Sequence, residues 1–127
     1  MSGPTDEVLL RIPAQPEFGR IVRVGGAALG IRQGLSFAEI DELRLAIDEV
    51  VILLLDGSDA DDDTELVTTF RFDDGRLEME IHASGATELR SDAVDRFDEV
   101  CSPLIDADDV DPERAWVRLR KTPAPLD

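Results

Sequence analysis

Several kinds of residue are scarce in this chain of 127 residues, and each scarcity closes off a class of protein. There is one cysteine, Cys101, so no disulfide forms within the chain, which fits a reducing compartment. There is one histidine, His82, so a metal site built on a histidine pair is excluded; beside Glu80, on the outward face of a strand, it reads as a solvated residue. Bases number 13 against 29 acids, a net charge of -16. Such a charge repels phosphate backbones and anionic lipid, which argues against nucleic acid and membrane surfaces as partners and for a basic protein surface. The longest unbroken apolar run, Val50 to Leu55, is far too short to span a bilayer. The opening MSGPTDEV has neither the positive segment nor the apolar stretch of a secretory signal, so a soluble cytoplasmic protein is expected.

What is present is the material of one globular domain. Hydrophobic residues make up 43% and charged ones 33%, and the length suffices to bury a core, expected over about residues 8–121. The acidity is uneven: residues 1–35 hold four arginines against three acids, whereas residues 36–63 hold one arginine against ten. Ser36 to Gly57 is the strongest helical signal. Ile40, Leu43, Ile47, Val50, Val51 and Leu54 fall on one face, Ser36 and Glu39 form a capping box, and Gly57 suits the exit. After Glu49 the run VVILLL is apolar all round, so this helix starts half-solvated and finishes buried.

The rest of the chain arranges itself around that helix. Val8, Leu10 and Ile12 alternate in a short strand that Pro13 ends. Pro16 opens a first helix in which Gly19, Gly25, Gly26 and Gly30 each cost about 1 kcal/mol relative to Ala, so close packing on a neighbour must favour them; the pair Gly25-Gly26 leaves open two shorter helices. SDADDD reads as an exposed loop, followed by a hairpin with Leu66, Thr68, Phe70 and Phe72 on one face of its first strand, Asp73-Asp74-Gly75 at the turn, and Leu77, Met79, Ile81 and Ala83 facing in. A third helix runs from Ser91 towards Ile105 and ends or bends near Ser102, before Pro103. DADDVDPE reads as a second acidic loop, AWVRLRK as a last strand with Ala115, Val117 and Leu119 inward, and TPAPLD as a disordered tail. Trp116 is either an interface anchor or a cover for the sheet's edge. This order predicts an α+β fold: a two-layer α/β sandwich, a mixed four-stranded sheet with helices on one face.

With Arg23 in the first helix, GLS before the second, LRLAIDE within it and a final WVRLRK, the chain resembles the anti-sigma-factor serine kinases, the small single-domain branch of the GHKL (Bergerat-fold) ATPases. The resemblance implies a protein that binds a sigma factor, binds and phosphorylates an anti-anti-sigma protein on serine, and works as a homodimer. It also implies three nucleotide motifs. In Glu-x-x-x-Asn, the catalytic glutamate is Glu49 but the magnesium-holding asparagine is Leu53, which has no oxygen to give. In Asp-x-Gly-x-Gly, the adenine-reading aspartate is Ala83, the first glycine is Gly85 as the one remaining cofactor-binding candidate, and the second is Thr87. In place of a glycine-rich lid stands ELRSDAVD, without glycine and with carboxylates that repel phosphate.

The expectation is therefore a degenerate relative that keeps the fold, needs no cofactor, and regulates bacterial transcription by binding a sigma factor or an anti-anti-sigma protein. An active kinase using ATP and Mg²⁺ is the alternative, and a scaffold outside transcription a third. The DGSDADDD loop alternates Asp59, Asp61 and Asp63 as a calcium loop does, but Thr64 stands where glycine is needed and Phe70 at the twelfth position, so a solvated loop is the expectation.

Overall fold

The computed structural model describes residues 6–124 apart from 74 and 87. The elements run β1 (Glu7–Pro13), α1 (Pro16–Gln33), α2 (Phe37–Asp56), β2 (Glu65–Asp73), β3 (Arg76–Ser84), α3 (Ser91–Cys101), β4 (Ala107–Asp111), a short 3₁₀ turn (Pro112–Arg114) and β5 (Trp116–Lys121). The strands form one sheet in the order β1-β2-β3-β5-β4. The two-layer α+β arrangement is as the sequence predicts, with two corrections. Every ladder is antiparallel rather than mixed. There are five strands rather than four, because the acidic stretch expected to be a loop contains β4. That run lacks hydrophobic alternation, but Asp109 lies opposite Arg118 on β5, and both Arg118 and Arg120 bond to it. Opposite charges across the ladder make a strand of residues that repel one another in isolation.

The core lies between the helices and one face of the sheet. Ala46, Ile47, Val50 and Leu54 of α2 are fully buried, as are Leu66, Ile81 and Val117 from the strands, with Phe70, Met79 and Leu119 almost so. Ser36 caps α2 as expected: its hydroxyl accepts from the Glu39 N–H at 3.2 Å while the Glu39 carboxylate accepts from the Ser36 N–H at 2.8 Å. The capping hydrogen bonds hold the Glu39 carboxyl below its usual range, the Ser36 N–H contributing most. Helix α3 stops at Cys101, where Pro103 forbids continuation. Part of the supposed tail is fastened: the Thr122 N–H donates to Asp106 at 2.6 Å and the Ala124 N–H to Glu39 at 2.8 Å, while residues 125–127, like Asp74 of the hairpin turn, lie outside the described residues.

Helix α1 is a single helix across Gly25-Gly26, and the reason is its approach to α2. A Cβ on Gly19 would stand 2.9 Å from Val51, one on Gly26 would overlap Ile47, and one on Gly30 would stand 3.3 Å from Leu43. These glycines face the neighbouring helix within the chain. Gly25, on the other side of α1, has nothing within 4 Å.

Gly26→Ala forces the terminal methyl of fully buried Ile47 to displace a neighbour, a cost of about 1–3 kcal/mol that outweighs the roughly 1 kcal/mol gained in helix propensity. Gly25→Ala meets nothing and stabilises by about 0.5–1 kcal/mol, so denaturant titration of the two variants returns opposite signs. Cys101 is fully buried, and burial first, with Glu49 second, pushes its thiol from 9.0 up to about 12. It resists thiol reagents in the native state. Because the folded value is raised, its contribution to stability is complete below pH 9.0 and is lost as pH rises towards about 12. Urea unfolding followed upward from about pH 8 shows that decline, and Cys101→Ala flattens it.

Candidate functional site

Of the residues that the nucleotide motifs single out, Glu49 and Leu53 lie where the second half of α2 meets α3, and Ala83 and Gly85 lie at the end of β3. Glu49, Leu53 and Gly57 follow one another at intervals of four, so they line one side of α2 as it runs past α3. Glu49 has only 16% of its side chain exposed and is held by Arg96 of α3, whose Nη1 donates to Oε2 at 2.7 Å and Nη2 to Oε1 at 3.4 Å. One turn on, Leu53 is 3% exposed and part of the continuous core with Phe97 and Cys101. One turn further, a Cβ on Gly57 would stand 2.9 Å from the Cβ of Ala93, which sets how closely α3 approaches the end of α2.

Backbone bonds fasten that approach. The Gly57 carbonyl accepts from the Arg90 N–H at 2.8 Å, and the Asp56 carbonyl accepts from Arg90 Nη1 at 2.6 Å. Leu89 is buried, and its N–H donates to the Pro112 carbonyl at 2.8 Å. The stretch that replaces the expected lid is thus anchored at both Leu89 and Arg90. What remains between α2 and α3 is a hollow of about 260 Å³ lined by Glu49, Ile52, Leu53, Asp56, Arg90 and Arg96 among others.

Ala83 and Gly85 sit at the exit of β3. Ala83 is 2% exposed; its N–H donates to Ala115 at 3.0 Å and its carbonyl accepts from the Ala86 N–H at 3.2 Å. Gly85 has φ +92 inside that four-residue turn, a conformation in which glycine meets no Cβ penalty. The turn itself accounts for this glycine, and no side chain stands within 4 Å of its missing Cβ. Thr87 lies outside the described residues.

A cleft of about 900 Å³ is lined by residues 88–91 together with Gly57, Ser58 and Asp111 and does not include Glu49, Leu53, Ala83 or Gly85. Asp59, Glu88, Asp95, Asp111 and Glu113 line it, with Arg90 as the base among them. In the loop that resembled a calcium site, Asp61 Oδ1 accepts from the Asp63 N–H at 2.9 Å and from the Thr64 hydroxyl at 3.2 Å, so it shapes the turn. Among the described residues, no three His, Cys, Asp or Glu side chains are grouped to hold a metal ion. No helix among them is long and apolar enough to cross a membrane. His82 lies on the outer sheet face; burial, then Arg114 and Arg11, holds it below its ordinary value. Trp116, opposite His82, is half-buried between the guanidinium groups of Arg114 and Arg118, 5.6 and 5.7 Å from its ring.

Sequence reasoning named Glu49 as a candidate and gave it no partner. Arg96 precedes Phe97 on an amphipathic helix, which marks it as flanking the buried face, but nothing in the spacing says which carboxylate it meets. Arg90 and Leu89 were hidden for the same reason, in a stretch read as an abbreviated lid.

No family model matches the chain. Among curated proteins, it is 24% identical over 83 residues to serine-protein kinase RsbW of Listeria monocytogenes serotype 4a (strain HCC23), covering 65% of this chain and 53% of that protein. It is 24% identical over 82 residues to serine-protein kinase RsbW of Bacillus anthracis (strain A0248), covering 65% and 51%. The chain spans about half the length of the curated relatives it matches. Among solved structures, that of the RsbU and RsbW domains of Rv1364c from Mycobacterium tuberculosis matches with a TM-score of 0.66 at 15% identity, over 94% of this chain and 32% of that one. The chain is therefore weakly similar in sequence to the RsbW serine-protein kinases, and shares its fold with a protein that contains an RsbW domain.

Proposed function

We propose that this chain is an anti-sigma-type regulator of bacterial transcription that acts by binding protein, with the nucleotide site of its fold given over to structure. In this reading its partner is a sigma factor or an anti-anti-sigma protein, and it works as a homodimer without ATP or magnesium. One observation carries the reading: the Glu49–Arg96 pair closes α3 over buried Leu53, where a magnesium nucleotide needs a free carboxylate and an oxygen ligand. The side chains present do not fit that group. Leu53 and Ala83 have no polar atoms beyond the backbone, and the carboxylates of the neighbouring cleft repel a triphosphate. The similarity to serine-protein kinases supports the kind of partner, through the fold the two share. The net charge of -16 suits a basic patch on that partner.

Calorimetric titration with ATP and Mg²⁺ gives no saturable heat up to millimolar nucleotide. At about 2 kcal/mol each, three missing contacts exceed the roughly 4 kcal/mol that separates a micromolar site from a millimolar one. A micromolar midpoint abolished by Glu49→Ala would restore the kinase reading. For a partner identified among sigma factors and anti-anti-sigma proteins, the association rate falls as salt rises, because steering by the acidic surface is screened. A rate that is flat in salt contradicts that part of the reading.

A further inference from the structure

The outer face of the sheet has no helix over it, and one row of side chains across it differs from the rest. Arg11, Val67, His82 and Trp116 lie in register across β1, β2, β3 and β5. Trp116 stands one strand in from the edge strand β4, so it covers no edge. Its ring lies 5.6 Å from the Arg114 guanidinium, and Val67 on the far side of His82 is buried among its neighbours, so the row is closely packed. Elsewhere on this face the arginines are engaged by hydrogen bonds: Arg71 donates to Glu7 and Glu80, and Arg118 and Arg120 to Asp109. At the two ends of the row they are not. Among the described residues Arg11 and Arg114 make only loose ion pairs, 4.0 Å from Glu65 and 3.7 Å from Asp111, and neither guanidinium donates a hydrogen bond. Both are largely exposed, at 61% and 69%. His82 between them registers the balance: burial first, then Arg114 and Arg11, hold it below its ordinary value against the opposing pull of Glu80. In a chain of net charge -16, this corner is locally positive.

We infer that this row is a docking site for an extended acidic segment of a partner protein, with carboxylates on Arg11 and Arg114 and an apolar side chain between them against Trp116. The dimensions fit. Neighbouring strands lie about 4.8 Å apart, so the row runs about 14 Å from β1 to β5, and four residues of extended chain reach about 13 Å. Acidic residues four apart therefore meet both guanidinium groups, and because alternate side chains share a face, the residue midway between them also points at the row. A guanidinium with free donors takes a carboxylate through two parallel hydrogen bonds, which the loose pairs with Glu65 and Asp111 do not supply. Tryptophan and arginine are the side chains that most often anchor protein interfaces, and here they stand in contact. The site goes beyond the proposed function. That reading sets a basic patch of the partner against the acidic bulk of the chain, whereas this row receives acid on the face where two arginines are open. A nucleic acid brings negative charge at a density that the chain's other carboxylates repel, which favours a short protein segment.

The chain carries its own reporters, since Trp116 is its sole tryptophan and His82 its sole histidine. The probe is a short capped peptide with glutamates four residues apart and a leucine midway between them, and its control has lysines in place of the glutamates. At low salt the glutamate peptide changes the Trp116 fluorescence saturably and moves the His82 ring signals in NMR, while the lysine peptide does neither. With the glutamate peptide bound, His82 titrates at higher pH, because carboxylates placed over it favour its protonated form. Arg11→Glu and Arg114→Glu each weaken binding about fivefold or more, with circular dichroism confirming that both variants are folded. Arg44→Glu, a charge reversal of the same size on α2, leaves the affinity unchanged and so separates the row from the charge of the chain as a whole. Equal binding of the lysine peptide, a fluorescence that never saturates, or a loss in Arg44→Glu as large as in the two row variants removes the site. A single-stranded oligonucleotide that saturates the same signals as tightly, and is weakened by the same two substitutions, overturns the protein segment as its occupant.

Discussion

Burial of the second half of α2 is the constraint on which the rest depends. Ala46, Ile47, Val50 and Leu54 are removed from solvent altogether, and Leu53 nearly so. Each large aliphatic side chain buried in this way contributes about 2 kcal/mol. The apolar run 50–55 needs cover on most of its sides, and the expectation of a fully buried end is corrected at Ile52, which stays 40% exposed. The sheet covers one side, α1 a second and α3 a third, which fixes the order of the helical layer. The glycines of α1 let it lie against Val51 and Ile47, and Gly57 lets α3 lie against the end of α2.

That same packing leaves a hollow of about 260 Å³ between α2 and α3. In a fold that accommodates a ligand between helix and sheet, some polar group must stand in the gap and some segment must move to close it. Here Leu53 and Ala83 are core residues, Leu89 is core and bonded through its backbone, and Glu49 is engaged by Arg96. The pair is itself of modest energetic weight, since Arg96 is 56% exposed and solvent screens it. Its importance is geometric, because it holds the carboxylate sideways along α3.

Charge organises the sheet as hydrophobicity organises the helices. The outer face carries Arg71, Arg118 and Arg120 among Glu7, Glu78, Glu80 and Asp109. An acidic protein thus places Arg71, Arg118 and Arg120 on the face with no helix over it, and β4 is held where Arg118 and Arg120 both bond to Asp109. Asp109 shows the effect most directly: its bond from Arg118 holds its carboxyl below the usual range.

Local signals in the chain were enough to determine α2 and its cap, the β2–β3 hairpin with its inward residues, the end of α3 before Pro103, and the strand at Trp116–Lys121, because each is a periodicity or a capping interaction between near neighbours in sequence. They also determined that Leu53 has no oxygen and Ala83 no carboxylate, since composition at a position needs no fold to read. Tertiary structure alone decided that α1 runs unbroken through its glycines, that ADDVD is a strand, that Leu89 and Arg90 are anchored and that Glu49 meets Arg96. Each of these is a contact between segments far apart in the chain, and the energy that settles it comes from a partner that local spacing does not identify.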